Sequence, residues 1–189
     1  MAAQKIIYGE TEDQVFQQVN IDFQAEPDLL QYEAVIEQGG KKILLVIDID
    51  PGGGFESGYE STTLSAALEN NPAFRFAIHH EGVLDGIGKF FGMQDVITGY
   101  PEFDKKVVVK TDDEERVKSL FESTAVRSVF GSLIGFTFGI TRHHTATEKK
   151  AAFLEFNIER GIVDAAELKS IYNAFVKVLV NIDQEIKEH

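Results

Sequence analysis

The sequence predicts an α+β domain, a curved antiparallel β-sheet with helices packed on one face. Three observations point there. The pair Gly39-Gly40 divides two β-rich runs, Q-Y-E-A-V-I-E-Q and K-K-I-L-L-V-I-D-I-D, and adjacent glycines supply the positive φ angles of a tight hairpin turn. Phe74, Phe76 and Ile78 alternate with Arg75, Ala77 and His79, the period of a half-buried strand. Leu168, Ile171, Phe175, Leu179 and Ile182 recur at helical spacing behind Asp164 and Glu167, which stand in capping-box register. A chain of 189 residues with 43% apolar content fits one such domain spanning 1–189.

The elements follow in order. Residues 6–8 suggest a short strand, and Thr11 with Glu12, Asp13 and Gln14 opens a helix that carries Val15, Phe16 and Val19 inward. In the second hairpin strand Ile43, Leu45, Ile47 and Ile49 line one face. Leu44 and Val46 on the other face suggest a strand covered on both sides at its middle, and Asp48 and Asp50 mark where that face reaches water. Pro51 and three glycines break it, and residues 59–64 resume an extended, threonine-rich pattern. The alternating Phe74 strand comes after an Asn70-Asn71-Pro72 turn, so four strands by residue 80 suggest an antiparallel meander. Val83, Leu84, Ile87, Phe90 and Phe91 follow at helical spacing, but Gly86 and Gly88 each cost about 1 kcal/mol of helix propensity relative to alanine. A weak helix or a kinked turn is expected there.

The stretch 92–121 is the most densely specified. Gly99, Tyr100 and Pro101 make a turn, since proline fixes its own φ and drives Tyr100 from helical angles. Residues 106–110, with three consecutive valines, read as a strand. Thr111 and Glu114 form a capping box, with Asp112 and Glu115 at the same spacing one residue on. Asp112, Asp113, Glu114 and Glu115 crowd a first helical turn whose partial positive charge favours carboxylates. Val117, Leu120 and Phe121 are its buried stripe. The run G-Y-P-E-F-D-K-K-V-V-V-K-T-D-D-E-E-R-V-K-S-L-F, preceded by K-F-F-G-M-Q-D-V, resembles a domain recurring in uncharacterised bacterial proteins. That domain is marked by a G-x-P-E-F-D-K-x-x-x-V motif and an acidic helix start; Val107 stands where its core carries an aromatic. The resemblance implies a fold and brings no catalytic residue with it.

Thr124 is placed to cap a second short helix bearing Val126, Val129, Phe130 and Leu133. Phe136, Phe138 and Ile140 then alternate as a strand. T-R-H-H-T-A-T-E-K-K reads as a loop, and residues 152–158 as the returning strand. The final helix is expected over 164–186, lying across the sheet.

Charge narrows the function classes. Eighteen basic against 31 acidic residues give a net charge of -13, which repels phosphate backbones and anionic headgroups, so neither nucleic acid nor membrane is an expected partner. Zero cysteines exclude disulfides, thiol catalysis and cysteine metal sites. The N-terminus shows no apolar signal core, which favours a cytoplasmic location. Gly131, Gly135 and Gly139 recur at the spacing of close-packed membrane helices, but their apolar run, 128–140, is shorter than the ~20 residues of a span. They are expected to serve bends or close packing. No P-loop, dinucleotide fingerprint, G-x-S-x-G elbow or H-E-x-x-H occurs.

Three clusters have the residue types of a site. Asp48, Asp50 and Glu56 surround a glycine turn, but at calcium-loop spacing the fifth position is Gly52 and the twelfth Tyr59, where carboxylates are needed. His79-His80 and His143-His144 are adjacent pairs whose members point to opposite faces of a strand, so a metal site needs the pairs to meet across the sheet, with Glu81. Glu102 and Asp104 could pair for acid–base work, or bond to local amides while Phe103 anchors the turn. The expectation is no catalytic, cofactor-binding or metal residue and no cofactor. The favoured function is a soluble, non-enzymatic interaction or scaffold domain, acting with a protein partner or with a second copy as a homo-oligomer. One alternative is a binder of a small apolar ligand between sheet and helix, since 15 phenylalanines occur without a tryptophan. The other is a carboxylate or histidine hydrolase.

Overall fold

The structure, a computed structural model, describes residues 4–53, 57–69, 72–80, 92–144 and 150–185. Its elements are β1 (Lys5–Tyr8), α1 (Glu12–Ala25), β2 (Gln31–Gln38), β3 (Lys41–Asp50), β4 (Tyr59–Ala67), β5 (Phe76–His80) and β6 (Gln94–Val96). Then come α2 (Pro101–Asp104), β7 (Val107–Thr111), α3 (Glu114–Leu120), α4 (Thr124–Phe130), β8 (Phe136–His144), β9 (Lys150–Ile158) and α5 (Ala165–Glu185). The described strands form one open, curved nine-stranded sheet in the order β1-β2-β3-β4-β9-β8-β5-β7-β6. The class is α+β.

The glycine pair makes the hairpin expected of it. Gly39 and Gly40 take φ of 56° and 76°, and Gln38 pairs with Lys41 across the turn. β2, β3 and β4 then run as a meander. The fourth expected strand departs from that order: β4 pairs with β9, and β5 lies beyond β8. Period-two alternation fixes which face a strand buries and leaves its neighbour open, and the β8–β9 hairpin supplies two apolar strands that fit between. One pairing is parallel, β1 with β2, because α1 connects them as a crossover. β8 also extends through residues 141–144, which the sequence assigned to a loop. The weak helix expected from Val83 to Phe91 lies outside the described residues.

Helix starts follow side-chain hydrogen bonds. Thr11 caps α1, accepting from Gln14 N at 3.3 Å, and Asp164 accepts from Glu167 N at 2.7 Å. The cap of α3 is Asp113, not Thr111 or Asp112, and accepts from Arg116 N at 3.1 Å. Its neighbours are committed elsewhere: Thr111 Oγ1 donates to Arg75 O and accepts from Asp113 N, while Asp112 accepts from Arg75 N and Nε. Ser123 takes the cap position of α4, one residue ahead of Thr124.

The helices bury one face of the sheet. Ile43, Leu45, Leu64, Phe138, Leu154 and Phe156 point to them and are at most 3% exposed. Phe130 of α4 stacks on Phe138 at 4.6 Å between ring centroids and reaches Phe121, Phe136 and Phe156. From α5, Tyr172 meets Phe16 edge-on and donates to Gln38 Oε1 at 2.7 Å. Burial, with Glu12 nearby, holds that phenol well above its ordinary pKa. The end of α5 is tied to the sheet by Asp183, which accepts from Lys41 Nζ at 2.5 Å. Burial pushes that ammonium down, but its bonds to Asp183 and Glu69 outweigh burial and leave its pKa raised.

Two of the spaced glycines have identifiable work. Gly135 turns the chain into β8 with φ 70°. A Cβ on Gly139 would lie 2.3 Å from Phe76 O and 2.8 Å from Ala77 Cα, so β5 and β8 approach only because it is absent. Gly139→Ala should cost about 1–3 kcal/mol by forcing the strands apart. A shift of the urea midpoint at constant slope would show it, and an unchanged midpoint would disprove the close-approach argument.

Candidate functional site: the second face of the sheet

Alternation places every second strand residue opposite the helices. Register carries one row across the whole sheet: Ile6, Val35, Leu44, Ser65, Glu155, Gly139, Ala77, Lys110 and Asp95. No described helix packs on the β1-to-β9 part of this face. Leu44 and Val46 are half-buried rather than covered.

Two kinds of surface share that face. Toward β1 it is apolar: Ile6, Val35, Leu44, Ala67 and Phe153 line a groove of about 330 Å³ together with Gln4, Ser65 and a Glu37–Lys42 ion pair at 2.8 Å. Toward β8 it is polar. Glu155 Oε2 accepts from Thr141 Oγ1 at 2.6 Å, its Oε1 lies 2.9 Å from His143 Nε2, and Ser65 Oγ reaches the same oxygen at 3.5 Å. Asn157 donates to Thr63 Oγ1 at 2.9 Å.

Thr141, His143 and Glu155 have the residue types of a nucleophilic relay but not its geometry. Thr141 Oγ1 lies 3.1 Å from His143 Nε2, the same nitrogen that faces Glu155. A relay needs the acid on one ring nitrogen and the nucleophile on the other. Here the carboxylate already accepts the hydroxyl proton directly, and the three form a hydrogen-bonded surface network.

The sequence-selected clusters resolve differently. His79 sits opposite Thr137, six residues along β8 from His143 and thus about 20 Å away, so those two histidines do not converge. His79 is buried with Nδ1 3.1 Å from His80 O and Nε2 without a hydrogen-bond partner among the described residues. Glu81 and Glu56 lie outside the described residues. Asp48 and Asp50 line a cleft of about 580 Å³ at the end of the sheet with Glu26, Asp28, Leu30 and Tyr59. Asp48 accepts from Gln31 Nε2 at 3.4 Å and Asp50 from Gly52 N at 2.9 Å. Among the described residues no group of three or more acids and histidines is arranged to hold a metal ion. Asp104 accepts from Thr98 N, Thr98 Oγ1 and Gly99 N at 2.7–3.0 Å while Phe103 is buried, the local anchoring that a P-E-F-D turn allows. Glu102 points away, 3.5 Å from Arg127 Nε.

Sequence reading passed over Glu155, Thr141 and the groove. A-A-F-L-E-F-N-I shows Phe153, Glu155 and Asn157 sharing a face, but only the β4-β9-β8 order brings Ser65 and Thr141 beside them.

Fold and site together define an α+β protein whose described helices bury one face of the sheet and whose second face is half apolar and half polar between β1 and β8. No protein-family model and no curated protein matches the chain. Among solved structures it is similar to the crystal structure of the mycobacterial trehalose monomycolate transport factor A, TtfA, with a TM-score of 0.46 and 5% identity over 79% of this chain and 70% of that one. No described helix is long and apolar enough to cross a membrane.

Proposed function

We propose that the protein is a non-enzymatic interaction module that docks a protein partner on the second face of its sheet. The groove floored by Val35, Leu44 and Phe153 carries this reading, because it offers apolar area to a partner while the helices bury the opposite face. The hydrolase reading loses support from the single histidine nitrogen shared by Thr141 and Glu155. The apolar-ligand reading loses support from the phenylalanine rings that interlock between sheet and helices.

A photo-crosslinking residue placed at position 44 tests it in cells, with one at exposed Glu115 on α3 as control. A discrete protein adduct from position 44 alone is expected. No adduct, or the same adducts from both positions, would refute a dedicated docking face.

A further inference from the structure

We infer that the occupant of this face is a basic amphipathic helix, its apolar stripe in the groove and its cationic end in the acidic cleft beyond β3. The inference rests on the interaction-module reading and adds the partner's chemistry. Within the groove Glu37 and Lys42 neutralise each other, so that end selects apolar side chains. At the other end Glu26, Asp28, Asp48 and Asp50 line the cleft, with no basic residue among its described lining. Between the two, the carboxylates of Glu33 and Glu155 add to the same sign, and on β1, β2, β3, β4, β9 and β8 only Lys42 and His143 among the described residues of this face oppose it; Lys110, farther off on β7, is paired with Asp95. From Leu44 to Asp50 the strand covers about 20 Å, the length of a helix of about 14 residues.

Charge separates the candidate occupants. A second copy would set these carboxylates against themselves, and an anionic bilayer repels a chain of net charge -13. A basic helix meets the groove and the cleft at once. It also keeps its lysines and arginines in its last turns, where the helix dipole favours them.

The probe is a labelled helical peptide of about 14 residues with a leucine stripe and a lysine- and arginine-rich C-terminal end. Its control has glutamates in place of those cations. Saturable binding of the basic peptide alone is expected, weakening about tenfold between roughly 50 and 500 mM salt. D48N combined with D50N should weaken it about tenfold as well, and L44S should abolish it, while E115Q leaves it unchanged; thermal melts of each variant report whether the fold persists. Equal binding of both peptides, salt-independent binding, or no binding overturns the inference. Self-association that L44S removes would assign the face to a second copy, and flotation with phosphatidylcholine vesicles would assign it to lipid; either overturns it too. Protein adducts at position 44 without peptide binding would leave the module reading standing and refute only the basic helix. Loss of both refutes both.

Discussion

Phe175→Ala should destabilise the protein by about 3–5 kcal/mol, the cost of removing a buried phenylalanine from a site that cannot collapse around the void. Phe175 is 0% exposed, and its ring centroid lies 5.9 Å from that of Phe138, itself stacked on Phe130. The interlocked rings of α4, β8 and β9 leave no slack side chain to move inward. Urea denaturation gives the loss of stability, and a fluorescent fatty-acid probe reports on the same interior. Wild type that binds no probe, with a variant weakened by the full amount, is the expected pair of results. A loss under about 1 kcal/mol with saturable probe binding by the wild type would instead mean that α5 roofs a ligand cavity.

Fold class was legible because its signals are local. The Gly39-Gly40 turn and the Asp164 cap each depend on residues within a few positions and stand in the structure as read; the alternation around Phe76 marks a strand, β5, but Ala77 and His79 are buried as well, so that strand is covered on both faces and not half-buried. Strand order was not local. Nothing near β5 says that β8 and β9 separate it from β4, since alternation specifies a face and not a neighbour. The α3 cap shows the same limit at close range. Thr111 and Asp112 have the right spacing, but Arg75, 36–37 residues earlier, engages both, and the cap passes to Asp113. The second face was half-legible: Leu44, Val46 and Asp48 were assigned to one side of a strand, with Asp48 where it reaches water, but Leu44 and Val46 were read as covered, because an apolar run looks the same whether a helix or another molecule lies over it.

Arg127 should matter to stability out of proportion to its place in a short helix. It is 8% exposed, and its Nη1 donates to Phe121 O at 2.7 Å and Glu122 O at 2.6 Å, the carbonyls that end α3. Its Nη2 lies 3.3 Å from Thr124 Oγ1, and the guanidinium stacks on Tyr100 at 3.5 Å from the ring centroid. One planar fork thus joins the end of α3, the start of α4 and the turn before α2. Arg127→Ala should cost about 3 kcal/mol, because it strands two carbonyls and removes a desolvated cation–π contact. Arg127→Lys should recover only part of that, about half, since an ammonium cannot bridge both carbonyls and lie flat on the tyrosine. Glu102→Gln should stay within about 0.5 kcal/mol, because the carboxylate is 66% exposed and 3.5 Å from Nε, an ion pair in solvent rather than a hydrogen bond. Denaturant midpoints of the three variants separate the contributions, and hydrogen exchange should quicken at the amides of residues 122–131 in Arg127→Ala alone. Should Arg127→Lys match wild type while Glu102→Gln falls, charge pairing rather than the bridging fork would hold the α3–α4 corner together.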